Sequence, residues 1–156
     1  MKSNDHPAVY IPPPLIYVAF FFFSVLLQKL SPFDNKWLKT RPATITGGIF
    51  IGLGVLFCVP ALWRFMVSKN TLVPIKPANS LQTTGIYSLS RNPMYLSLLL
   101  LYCGIAFLKG NWWTFVLIPL LVMVIQIYVI RREENYLQNA FGEEFDVYKK
   151  KVRRWM

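Results

Sequence analysis

Apolar residues along this chain fall into four blocks, with polar residues collected between them. The blocks are about Leu15–Leu30, Ala43–Trp63, Pro93–Leu108 and Trp112–Ile130. Such blocks predict helices that cross a bilayer, where each segment must satisfy its own backbone polar groups. The first follows Pro12, Pro13 and Pro14 and contains Phe20-Phe21-Phe22-Phe23. It is short for a crossing and relies on tilt or on Lys29 reaching the interface. It lacks the basic flank and the A-x-A cleavage site of a signal peptide. The second block holds Gly47, Gly48, Gly52 and Gly54, and the Gly48-x-x-x-Gly52 spacing predicts a close helix approach. The third opens on Pro93, a residue suited to a first helical position. Lys109-Gly110-Asn111 then turns the chain into the fourth block, which is entered through the interface pair Trp112 and Trp113. Blocks three and four therefore form a helical hairpin.

Beyond Arg131 the chain is charged but still periodic. Tyr136, Leu137, Ala140, Phe141, Phe145 and Tyr148 recur at three-to-four spacing, which predicts a helix leaving the bilayer and then an interfacial amphipathic one. Residues 64–92 are mixed polar, carry Pro74 and Pro77, and read as a membrane-surface segment. The expected fold is all-α: one polytopic membrane domain over residues 1–156, with four crossings and a C-terminal interfacial helix.

Composition supports this class. Hydrophobic residues make up 54% of the 156, charged residues only 15%, and mean hydropathy is +0.40. A soluble domain carries about 25% charged residues. Disordered and disulfide-scaffold classes fail too, given the apolar content and two cysteines. The 17 Lys+Arg against 7 Asp+Glu leave a net charge of +10, spread over the short segments between blocks. With four crossings, Lys29, Lys36, Lys39, Arg41 and Lys109 lie on one side and all other basic residues on the opposite side. The positive-inside rule then puts both termini and residues 64–92 in the cytoplasm, where basic residues attract anionic lipid; nucleic acid is not a partner on this pattern.

Several chemistries lack their residues. The lone histidine is His6, and Cys58 and Cys103 lie inside apolar blocks, so no metal site is expected. A Ser-His-Asp triad, a P-loop and a G-x-G-x-x-G turn are missing as well. The chain does not close on a prenylation box.

Two polar clusters remain, Gly85 to Tyr95 before the third block and Arg131 to Leu137 after the fourth. The hairpin brings them together, so Arg91 can approach Glu133 and Glu134. Charges in such a place are functional candidates. Met123, Gln126, Ile130, Glu133 and Leu137 fall on one helical face, which predicts a polar cleft at the cytoplasmic boundary. The plainer reading is an interhelical hydrogen bond from Gln126 and an interfacial carboxylate.

These clusters resemble the isoprenylcysteine carboxyl methyltransferase / phospholipid methyltransferase family of membrane enzymes. The resemblance rests on Gly85, Tyr87, Arg91, Asn92, Pro93 and Tyr95, then on Glu133, Glu134, Leu137, Phe141, Gly142, Phe145 and Tyr148, and closes with Val152 and Arg154. Pro74, Leu81 and Thr84 fit upstream, and the match covers about residues 70–155. Departures are Ile86 for a common proline, Ser97 for a common glycine, and a chain that ends soon after Arg154. Asn92 replaces the histidine of the prenylcysteine subgroup.

The resemblance implies S-adenosylmethionine-dependent methyl transfer, with cofactor held in the region 70–156. An arginine fork suits the cofactor's carboxylate, and Arg91 is the candidate. Glu133 or Glu134 and Asn92 would accept from its ammonium and ribose hydroxyls. Tyr87, Tyr95 and Tyr148 would flank the adenine or the sulfonium. The expected catalytic set is Arg91, Glu133, Glu134 and Arg154, the last orienting an anionic acceptor. The expected cofactor set adds Gly85, Tyr87, Asn92, Pro93, Tyr95, Leu137 and Tyr148. Leu137 and Phe141 read equally as packing, Pro93 as a helix start and Tyr148 as an interface anchor. An apolar or amphiphilic acceptor entering from the bilayer fits best: a prenylated carboxylate first, then a phospholipid amine or a small thiol. The competing readings are an NADPH-dependent membrane reductase, with a loosely similar arginine-proline-tyrosine pattern, and a non-catalytic membrane scaffold.

Overall fold

A computed structural model describes residues 7–67 and 80–156. His6, Pro74 and Pro77 lie outside the described residues, as do Lys2, Lys69 and Lys76 of the topology argument. The described residues form α1 (Pro13–Leu30), α2 (Arg41–Val67), α3 (Pro93–Lys109), α4 (Trp112–Val116), α5 (Ile118–Val124), a π-turn segment (Ile125–Ile130), α6 (Arg131–Phe141) and α7 (Glu143–Lys151). Short 3-10 turns lie at Trp37–Lys39 and Gly85–Ser88, and no strand occurs among the described residues.

Local chemistry sets the helix ends. Prolines occupy the first positions of α1 and α3, where a missing N–H costs nothing. Gly110 ends α3 in the left-handed conformation (φ 64°); its N–H bonds to the Phe107 carbonyl, and that of Asn111 to the Ala106 carbonyl. This is a Schellman stop. The Asn111 side chain then caps α4 by accepting from the Trp113 N–H at 3.0 Å. The hairpin expected around Lys109-Gly110-Asn111 is present.

From Trp112 to Phe141 the helical path does not break. Leu117 stays right-handed, and the N–H groups of Leu117 and Leu121 bond four residues back across the α4–α5 junction.

α2 lies directly against α3. A Cβ on Gly104 would stand 2.6 Å from the Ile51 side chain, one on Gly47 2.9 Å from Phe107, and one on Gly54 2.7 Å from Leu101. Gly48 and Gly52 have nothing within 4 Å of where a Cβ would stand. The close approach expected of Gly48-x-x-x-Gly52 is therefore made by Gly47 and Gly54. They lie on a face about 130° round the helix, and the spacing rule does not choose between these faces.

α1 and α2 are long and apolar enough to cross a membrane, and only 17% of each apolar window is buried inside the protein. Their outward residues, such as Phe22, Leu26, Ile49 and Leu56, are large and exposed. The main apolar core joins Ile16 and Tyr17 of α1 to Tyr95 and Tyr102 of α3 and to Leu121, Ile125, Val129 and Ile130. A second core of Phe145, Tyr148 and Val152 packs on Leu81, Leu137 and Phe141.

Candidate functional site

The site is built where the start of α3 meets the start of α6. Before α3 the chain makes the Gly85–Ser88 turn, in which Gly85 has φ +66° and lies under the Arg64 guanidinium; a Cβ there would be 3.2 Å from Arg64 Nε. The backbone angle favours glycine, and a Cβ would displace the Arg64 guanidinium by a few tenths of an ångström. Tyr148 of α7 donates its hydroxyl to the Tyr87 carbonyl at 2.6 Å, which ties the turn to the second core. Ser90 and Asn92 follow, both buried. The Ser90 Oγ accepts from the Asn92 N–H at 3.1 Å. Pro93 is buried at the first position of α3.

Residues 152–155 return across this turn. Arg91 donates its N–H to the Arg153 carbonyl at 3.0 Å, and Asn92 Nδ2 donates to the Arg154 carbonyl at 2.9 Å. Trp155 packs against the main core. The return places the Arg154 guanidinium on Glu134, with Nη2 to Oε2 at 2.5 Å and Nε to Oε1 at 3.1 Å. Arg91 Nη2 reaches the same Oε1 from the other side at 3.0 Å. One carboxylate thus bridges two arginines. This holds Arg154 firmly protonated, through the hydrogen bond and the charge of Glu134. Arg91 Nε is buried with no partner among the described residues.

Glu133 differs from its neighbour. Its Oε1 accepts from the Tyr95 hydroxyl at 2.5 Å, and no cation pairs with it among the described residues. Burial pushes its carboxyl up to about 7; the Tyr95 bond opposes that rise, and the charge of Glu134 adds to it. Tyr95 is fixed in turn by Tyr17 of α1, which donates to the Tyr95 carbonyl at 3.0 Å. Tyr87 and Tyr148 both stay protonated because they are buried; Tyr148 rises to about 12, with the charge of Arg91 pulling the other way.

The phase of the long helix explains how Glu133 comes to face Tyr95. In a regular α-helix Glu133 would lie about 80° round from Ile125. The π segment Ile125–Ile130 widens that turn and rotates Glu133 back toward the interior face of Ile125. The face expected from regular periodicity, Met123-Gln126-Ile130-Glu133-Leu137, fails at its start: Met123 is 50% exposed, and the inward positions before the π segment are Leu121 and Ile125, whereas Ile130 and Glu133 do turn inward.

Of the residues singled out in the sequence, Arg91, Asn92, Glu134 and Arg154 are linked by direct bonds, and Tyr95 joins Glu133. Gly85, Tyr87, Pro93 and Tyr148 shape the turn that presents Arg91. Leu137 lies apart from the polar centre, packed on the second core. Sequence reasoning gave no role to Arg64, Ser90 or Tyr17. Ser90 stands inside the motif, whereas no local signal marks Arg64 or Tyr17.

A helical chain with two membrane-length helices, and a charged centre between a hairpin's two ends, defines a membrane-associated class of protein. The phospholipid methyltransferase family profile matches residues 42–144, and the chain belongs to that family. It is 43% identical over 63 residues to an uncharacterized protein of Haemophilus influenzae, covering 40% of this chain and all of that one. It is 35% identical over 72 residues to the protein-S-isoprenylcysteine O-methyltransferase of Schizosaccharomyces pombe, covering 46% of this chain. That stretch spans 30% of the yeast protein's length. No solved structure matches.

Proposed function

We propose that this protein is an S-adenosylmethionine-dependent membrane methyltransferase acting on an apolar or amphiphilic acceptor, most like an isoprenylcysteine carboxyl O-methyltransferase. The observation that carries the reading is the pairing of two unlike carboxylates. Glu134 is neutralised by Arg91 and Arg154, while Glu133 has only a tyrosine. Beside them the buried Arg91 Nε lacks an acceptor. An amino-acid zwitterion fits this donor set: its carboxylate completes Arg91, and its ammonium supplies the cation that Glu133 lacks.

S-adenosylmethionine brings a methyl group already activated by a sulfonium. The protein's own part is to bind, orient and keep water away. Arg91 and Asn92 hold the amino-acid end, with Arg154 locking Glu134 so that Arg91 keeps a single geometry. The buried side chains of Tyr87, Ser90, Asn92 and Tyr95 exclude solvent. A carboxylate or thiolate acceptor has no proton to lose, which fits a centre without histidine. An amine acceptor needs a base, and the raised Glu133 carboxyl, together with the family's phospholipid members, favours this as the second reading.

We further read the α3 hairpin partner, from Trp112 to Ile130, as a crossing beside α1, α2 and α3, and α7 as an interfacial helix. Both termini and the site then lie in the cytoplasm by the positive-inside rule.

Calorimetry of detergent-purified protein with S-adenosylmethionine and with NADPH tests the function. Saturable S-adenosylmethionine binding, weakened about 10- to 100-fold by Arg91→Ala, is expected from loss of charge-assisted bonds. NADPH binding in its place would establish a reductase. Binding of neither by folded protein would leave a scaffold.

A further inference from the structure

Residues 7–11 form an arm ahead of α1. Val9 is 1% exposed and lies in the main core with Ile16, Tyr17, Tyr95, Val129 and Ile130. Elsewhere in the arm Pro7 is buried and Ala8 half-buried, whereas Tyr10 and Ile11 are largely exposed. Among the described residues, two side-chain bonds tie the arm to the long helix. Arg132 Nη1 donates to the Ala8 carbonyl at 2.8 Å, and the Ile11 N–H donates to the Tyr128 hydroxyl at 3.2 Å. The Arg132 guanidinium also lies 4.8 Å over the Tyr128 ring, so the latches share one support. Ala8 has φ +55°, a left-handed conformation that residues with a side chain rarely hold. Pro12 and Pro13 then fix the direction of entry into α1.

The slot filled by Val9 has apolar and aromatic walls, and one of them leads to the polar centre. Tyr95 belongs to the same core and its hydroxyl holds Glu133. Arg132, which holds the arm, precedes Glu133 in the chain. An amphiphile with its chain in this slot would bring its polar end toward Tyr95 and Glu133. A buried side chain carried on a strained arm, latched from outside by exposed bonds, is suited to being displaced.

We infer that the Val9 slot is the binding place of the acceptor's aliphatic chain, and that residues 7–11 are a plug which the chain displaces. The inference rests on the methyltransferase reading for the word acceptor; the slot and the plug rest on the arm itself. Apolar substrate then gains the site only when the arm leaves, which keeps the centre dry between turnovers.

Hydrogen–deuterium exchange of the full chain in micelles tests this, with S-farnesyl- and S-hexadecyl-N-acetylcysteine as chain-bearing probes and N-acetylcysteine as the chainless control. In wild type the two chain-bearing probes should speed exchange of residues 8–11, and the control should not. Tyr128→Phe and Arg132→Ala should each speed it about fivefold without probe, the effect of losing one net hydrogen bond, and tighten probe binding by a similar factor. S-adenosylmethionine affinity should stay unchanged in both variants. Unchanged arm exchange with both probes, or equal probe binding by wild type and latch variants, would overturn the plug. If S-adenosylmethionine fails to bind while the arm responds, the methyltransferase reading falls and the amphiphile slot stands.

Discussion

The hydroxyl of Tyr95 donates to Glu133 Oε1 at 2.5 Å, joining the first turn of α3 to the first turn of α6. This bond is what opposes the upward push of burial on Glu133, whose carboxyl lies at about 7 against an ordinary 4.5. A group whose folded pKa is raised contributes stability that is full below the unfolded pKa, and this is lost as pH rises through the folded one. Glu133 therefore favours folding below about 4.5 and ceases to do so by about 7. Ionised Glu133, the form the proposed ammonium contact needs, is thus the form that costs stability.

A pH dependence of cofactor binding follows. If Glu133 accepts the cofactor's ammonium, affinity should fall about tenfold per pH unit once pH drops below about 7. Tyr95→Phe removes the opposing bond, so the same fall should begin at higher pH. Calorimetric titration at several pH values checks both. Identical profiles for wild type and Tyr95→Phe would remove Glu133 from the ammonium site.

The two arginines on Glu134 should behave as one unit. Glu134→Gln leaves both without a full countercharge and should cost roughly 2–3 kcal/mol, below the fully buried range because the arginines remain partly exposed. Arg154→Ala, which leaves Arg91 on Glu134, should cost less, about 1–2 kcal/mol. In a double-mutant cycle Arg91→Ala and Arg154→Ala should couple by about 1 kcal/mol or more. Additive effects on detergent unfolding would mean that the bridge is not a cooperative element.

Much of this site was legible because its signals are local. The Gly110 stop, the Asn111 cap and the Pro93 start each act within a few residues, so the hairpin is legible, and with it the meeting of Arg91 with Glu134; Glu133 takes Tyr95 in place of the arginine. The helical face through Met123 fails at its start because periodicity assumes α-helix throughout. Nothing local in Ile125–Ile130 announces a wide turn, and its Val129 and Ile130 pack in the main core. The Gly48-x-x-x-Gly52 spacing points away from Gly47 for a similar reason. Glycine spacing reports that a helix can approach closely and leaves open which face does so. The roles of Tyr17 and Arg64 come from tertiary contact alone.

The face of α2 that packs on α3 can be tested by substitution. Gly47→Ala and Gly104→Ala place a Cβ against the facing helix and should destabilise by about 1–3 kcal/mol. Gly48→Ala and Gly52→Ala meet nothing, and the gain in helix propensity, up to about 1 kcal/mol, makes them neutral or stabilising. Thermal unfolding of the four variants in one detergent ranks them. The reverse order would return the packing face to Gly48 and Gly52.

The turn that presents Arg91 separates backbone strain from contact in a single pair of experiments. Gly85→Ala must hold φ +66° with a side chain, at about 1–2 kcal/mol, and must also push the Arg64 guanidinium from its 3.2 Å approach. In an Arg64→Ala background the contact disappears and only the backbone cost remains. Gly85→Ala should therefore weaken S-adenosylmethionine binding more in wild type than in Arg64→Ala protein, because displacement of Arg64 disturbs the turn that ends at Arg91. Equal losses in the two backgrounds would assign the whole requirement for glycine to its backbone angle, and would make Arg64 a bystander to the site.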